Sequence, residues 1–74
     1  MTDRTIRRIT FMTFGKYLHV MRYTKNADTG ATAYNMFLEL VKIARNEQII
    51  TDNTQYLLTV LVNYYYKELY RTYL

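Results

Sequence analysis

The chain contains no cysteine, serine, proline or tryptophan, and only two glycines and one histidine. Without cysteine, disulfides and thiolate metal sites are excluded. One histidine excludes a multi-histidine metal site within a single chain. With serine and cysteine both absent, the common hydroxyl and thiol nucleophiles are gone. The acidic residues are scattered, no motif pairs two carboxylates across one site, and Glu39 beside Lys42 reads as a solvated helix pair. No glycine-rich phosphate loop is present. These absences argue against an enzyme and imply neither metal nor cofactor. The longest apolar stretch, residues 56–66, is broken by Thr59 and Asn63. It falls short of the roughly 20 residues that span a bilayer. The start, Met1 to Arg4, lacks the apolar run of a secretory signal. The cytoplasm, of a cell or of an infected host, is the expected compartment, with no membrane partner.

Half of the 74 residues are hydrophobic, far too many for a disordered tail. A chain this short makes one domain, residues 1–74, and such domains are marginal unless a staple, a metal or a partner subunit helps. With staple and metal excluded, self-association as a homodimer is expected.

The net charge of +4 is unevenly placed. Residues 1–25 carry six cations against a single acid, a net +5, and residues 26–74 carry a net −1. Such asymmetry points to an anionic partner.

With so few breakers, Gly15 and Gly30 are the main punctuation. Residues 5–24 are rich in Thr, Ile, Phe, Tyr and Val, the types that suit a pleated surface. Gly15-Lys16 fits a two-residue hairpin turn. That turn sets Phe14 opposite Tyr17 and Phe11 opposite Val20. One face then carries Ile9, Phe11, Leu18 and Val20, and the other carries Arg8, Met12, Phe14, Tyr17, His19, Met21 and Tyr23. The expected fold class is therefore α+β, an N-terminal β-hairpin followed by two α-helices. The alternative is an all-α three-helix bundle, because Phe11, Phe14, Leu18 and Met21 also fall at helical spacing and Asp3 is available as a cap.

Residues 25–30 read as a polar turn. Residues 31–46 read as a helix, with Ala33, Met36, Phe37, Leu40, Val41 and Ala44 on one stripe. Asp52 is a good N-cap, with Gln55 three residues on to complete a capping box. A last helix follows at about 53–72. It is apolar most of the way round, since Tyr56, Val60, Tyr64 and Tyr70 widen the stripe of its larger residues. A helix of that kind is buried on more than one side. The expected dimer interface is Leu58, Leu61, Val62, Tyr65, Tyr66, Leu69 and Tyr73.

The order of a strand at 17–23, a helix at 31–46, a turn at Ile50-Thr51-Asp52-Asn53 and a last helix resembles the ribbon-helix-helix repressors. The resemblance implies dimerisation through paired strands that enter the major groove. The chain departs from that pattern in an extra N-terminal strand and a longer loop after the strand. It also lacks the inter-helix glycine, with Gln48 near its place.

Function is expected to lie in the first third. Arg4, Arg7, Arg8, Lys16, Arg22 and Lys25 would bind phosphates, because a guanidinium fork holds two oxygens at once. Tyr17, His19 and Tyr23 would stack on or contact bases. The expectation is a small, non-catalytic, dimeric regulator bound to DNA or RNA. The alternative is an accessory protein of viral or plasmid type that inhibits a host protein through its acidic surface.

Overall fold

The computed structural model describes residues 3–73, with side chains described for residues 4–71. Three helices occupy it: α1 (Asp3–Tyr23), α2 (Ala27–Asn46) and α3 (Asp52–Tyr73). No strand occurs among the described residues, so the expected hairpin at 5–24 is overturned in favour of an all-α arrangement. The reason is the company each side chain keeps. A two-stranded ribbon would set Phe14 and Met21 on one face with Arg8 and His19. The helix separates them, sending Thr10, Phe14 and Met21 to the core and the cations to solvent. Local β preference is a weak prior that packing overrides. The threonines are accommodated because their hydroxyls donate back along the helix, Thr10 to the Ile6 carbonyl at 2.8 Å and Thr13 to that of Ile9 at 2.9 Å.

Because residues 17–23 are helical, the chain has no ribbon to pair with a second copy. The likeness to ribbon-helix-helix repressors does not extend to this fold.

Asn26 starts α2 four residues earlier than the apolar pattern indicates. Its side-chain oxygen accepts from the N–H groups of Asp28 and Thr29, at 2.8 and 3.2 Å. Gly30 thus lies inside the helix rather than in a turn. The close passage of α3 requires it there, since an added Cβ would stand 2.0 Å from Leu69 Cδ2 and 3.3 Å from Leu69 Cγ. Gln48, at φ 59°, takes the left-handed position that ends α2, a place that glycine usually fills. The Ile49 N–H then closes onto the Ala44 carbonyl at 2.8 Å, and Ile50 tucks into the core.

The cap of α3 is shifted by one residue from the expected Asp52. Thr51 Oγ1 accepts from the Thr54 N–H at 3.2 Å. The Asp52 carboxylate turns instead to the Arg45 guanidinium, joining the last turn of α2 to the first turn of α3. That hydrogen bond, with the charge behind it, holds the Asp52 carboxyl below its usual range.

The helix α2 is the middle of the bundle, and α1 and α3 meet it more extensively than they meet each other. The pairs Arg45–Asp52, Tyr34–Tyr66 and Gly30–Leu69 climb α3 as they descend α2, so these neighbours run antiparallel. The core gathers Phe14 and Met21 from α1, Phe37, Val41 and Ala44 from α2, and Val62 from α3. The Phe14 and Phe37 rings lie 4.9 Å apart at its centre. On the α2–α3 seam the Tyr34 and Tyr66 rings stack at 4.1 Å, and the Tyr34 hydroxyl donates to Asn63 Oδ1. The Tyr66 hydroxyl is pushed up to about 12, first by its hydrogen bond with Tyr70 and then by loss of solvent.

Candidate nucleic-acid interface

A helix at residues 3–23 rearranges the basic third. At about 100° per residue, Arg4, Arg8, Gly15, His19 and Arg22 fall within roughly 60° of arc on α1. All five are exposed. From Arg4 to Arg22 the stripe runs about 27 Å at 1.5 Å per residue. It is turned away from Thr10, Phe14 and Met21, which hold the opposite side of the helix against the core. Tertiary packing thus fixes the orientation of the cations without touching them.

The C-terminal half of the stripe borders a shallow groove between α1 and α3, lined by Gly15, Leu18, His19, Arg22, Tyr23 and Tyr65. A Cβ built on Gly15 meets nothing within 4 Å, so the missing side chain leaves the helix backbone open to a close approach. At the end of α1 an aromatic and cationic cluster forms. The His19 and Tyr23 rings are 4.6 Å apart, and the Arg22 guanidinium lies 5.5 Å from the Tyr23 centroid. Lys25, exposed in the loop that follows, extends this end.

Not every expected contact residue joins the stripe. Lys16 is exposed on the far shoulder of α1, about 100° of arc from Gly15. Arg7 is turned toward the end of α2, where it shares a depression with Ile6, Glu47, Gln48 and Ile49. Tyr17 is half-buried against α2, beside Met36, Leu40 and Ile43. Phe14, which a hairpin would have displayed, is 2% exposed. The aromatic face expected for base stacking is therefore reduced to Tyr23 and His19. Gly15, read from the sequence as a turn residue, acquires a different meaning as the gap in the stripe.

The salt bridges among the described residues are Arg45–Asp52 and Arg71–Glu68, and neither draws on a cation of α1.

Most of the expected dimer stripe faces the core of its own chain. Val62 and Leu69 are buried within the chain, and Leu58, Tyr65 and Tyr66 pack partly against the same core. These residues are engaged by α1 and α2 because they form the inward side of α3. Leu61 alone among those described reaches solvent as an exposed side chain, and the Tyr73 side chain lies outside the described residues. The exposed apolar residues of α3 are on its other side, and Leu57 among them was not singled out by the sequence pattern.

Among the described residues no cluster of three or more His, Cys, Asp or Glu side chains could hold a metal ion, and no helix is long and apolar enough to cross a membrane. No family model matches the chain, and no curated protein or solved structure matches it either.

Proposed function

We propose that the protein binds the phosphate backbone of a nucleic-acid duplex along the outer face of α1. The observation that carries this reading is the exposed stripe of Arg4, Arg8 and Arg22, presented on one rigid helix beside the opening at Gly15. Arginine forks on a straight scaffold suit a regular array of phosphates. A duplex is favoured over a single strand because the three arginines stand along one straight helix, whereas burial of Phe14 and half-burial of Tyr17 leave only Phe11, His19 and Tyr23 exposed on α1 for stacking. Lys16 and Lys25 add long-range attraction, and the Tyr23–His19 pair adds a contact at one end.

Phosphate binding releases counterions, so the logarithm of the affinity falls with the logarithm of salt by about 0.9 per phosphate engaged. With the three stripe arginines in contact, a slope of about −3 is expected. Fluorescence anisotropy with a labelled 20-base-pair duplex and the matching single strand, each at low and at physiological salt, reads it directly. The duplex should bind more tightly than the strand and lose most of its affinity as salt rises. Absence of duplex binding at low salt rejects the proposal.

A second reading has a specific observation in its favour. The Arg22, Tyr23 and Tyr65 edge of the α1–α3 groove has the arginine and tyrosine composition of protein-binding hot spots. On that reading the partner is an acidic protein surface, as for an accessory protein that inhibits a host factor. The same titration separates the two, because a protein-specific interface gives no duplex affinity of this slope.

A further inference from the structure

The outward side of α3 is apolar and uncovered. Leu57, Val60, Leu61 and Tyr64 recur at i, i+3, i+4 and i+7, the spacing of a helix–helix seam. They are 57%, 50%, 38% and 59% exposed, and Tyr56 beside them is 67% exposed. No charged residue occurs from 53 to 66, so the seam is flanked only by neutral side chains. Among the described residues nothing covers this face, and its position opposite Val62 and Leu69 means that no rotation of α3 could hide both sides.

We propose that this face pairs with the same face of a second copy, the two α3 helices running antiparallel about a two-fold axis between Val60 and Leu61. Three features select a second copy in that orientation. The first is steric register. An antiparallel pair centred there sets each Leu57 against Tyr64 of the other copy and each Val60 against Leu61, so large and small side chains alternate across the seam. The second is charge. The helix carries Asp52 in its first turn and Arg71 in its last, with Lys67 one turn earlier. Antiparallel pairing opposes the two helix dipoles, and because Arg45 engages Asp52 and Glu68 lies 3.9 Å from Arg71 within one chain, the end charges contribute by keeping like ends apart. Parallel pairing would bring Arg71 to Arg71 and Lys67 to Lys67. The third is area. Two tyrosines and three aliphatic residues at these exposures offer roughly 500 Å² per chain, so pairing buries on the order of 1,000 Å², the lower bound for a specific dimer. The dimer is therefore one that dilution separates. The inference does not depend on nucleic-acid binding, since the stripe on α1 and the seam on α3 share no residue.

Sedimentation equilibrium over about 1 µM to about 1 mM tests it. The mass should rise from 9.0 kDa toward twice that value. The double variant Leu57→Glu/Tyr64→Glu should keep its helical circular dichroism, because both side chains are solvent-facing, and stay at 9.0 kDa throughout. Orientation is read from single cysteines in a chain that has none. Val60→Cys should form an intermolecular disulfide, because Val60 lies beside the axis. Asn53→Cys should not, because antiparallel pairing holds its two copies about 22 Å apart along the axis, beyond the roughly 7 Å that a disulfide spans. Arg8→Gln should leave the dimer intact. A wild type that remains at 9.0 kDa, a dimeric glutamate variant, a failed link at Val60→Cys, or equal linking at Asn53→Cys would each overturn the proposal.

Discussion

Phe37→Ala is expected to leave the chain without a cooperative fold at 25 °C. Phe37 is fully buried at the midpoint of the central helix, and its ring meets that of Phe14 at 4.9 Å. Its truncation removes the contact with Phe14 of α1 and opens the cluster that also holds Val62 of α3. Truncating a buried phenylalanine costs about 3–5 kcal/mol. A single core in a domain of this size supplies no more than about 3–5 kcal/mol in all, and this chain has no disulfide with which to offset the loss. The two quantities are equal within their spread, so the folded population should collapse rather than decline. Far-UV circular dichroism followed through heating and urea, at micromolar protein where self-association contributes little, reads the result. Phe11→Ala is the matched control, since Phe11 is 41% exposed and its loss leaves a cooperative transition near that of the wild type. A Phe37→Ala protein that melts cooperatively within a few degrees of the parent would show that the core is not centred where the packing places it.

The second large effect concerns binding. The triple variant Arg4→Gln/Arg8→Gln/Arg22→Gln should lose about three units of salt slope and about a hundredfold or more of duplex affinity at physiological salt. Each side chain is exposed and outside the salt bridges among the described residues, so helix content should not change. Arg7→Gln changes charge by the same amount per residue at a position turned toward Glu47 and Gln48. It should lower the slope by well under one unit. If binding responds only to net charge, Arg7→Gln will match any single stripe variant, and the geometric part of the proposal fails.

Much of the helical core was legible in the sequence. Ala33, Phe37, Val41 and Ala44 stand out by period alone, and all four are buried. The start of α3 was legible to within one residue, and the capping role fell to Thr51 because Arg45 engages Asp52. The first third was misread for a definite reason. Thr10 and Thr13 count toward β structure by type, yet both hydroxyls find partners four residues back on a helix. What decides the matter is the matched burial of Phe14 against Phe37, a contact across 23 positions that no local window contains. The apolar stripe of α3 is legible in the sequence, and within one chain its Val62 and Leu69 are buried. A helix that is greasy on two sides does not announce which side its own chain will cover. Only the placement of Val62 and Leu69 against α2 and α1 identifies Leu57, Val60 and Tyr64 as the side left over. The basic stripe was legible as composition and not as geometry. Helical folding keeps Arg4, Arg8 and Arg22 together and removes Arg7 and Tyr17 from the set.

On the proposed reading α1 turns its outer face to a phosphate backbone while α3 stays clear of it. Amide chemical-shift mapping of the isotope-labelled protein with an unlabelled duplex tests both halves in one titration. The largest shifts should fall at Arg4, Arg8, Gly15, His19 and Arg22, with Leu57, Val60 and Tyr64 unmoved. Shifts concentrated on α3, or a spectrum that does not change when duplex is added at low salt, would contradict it.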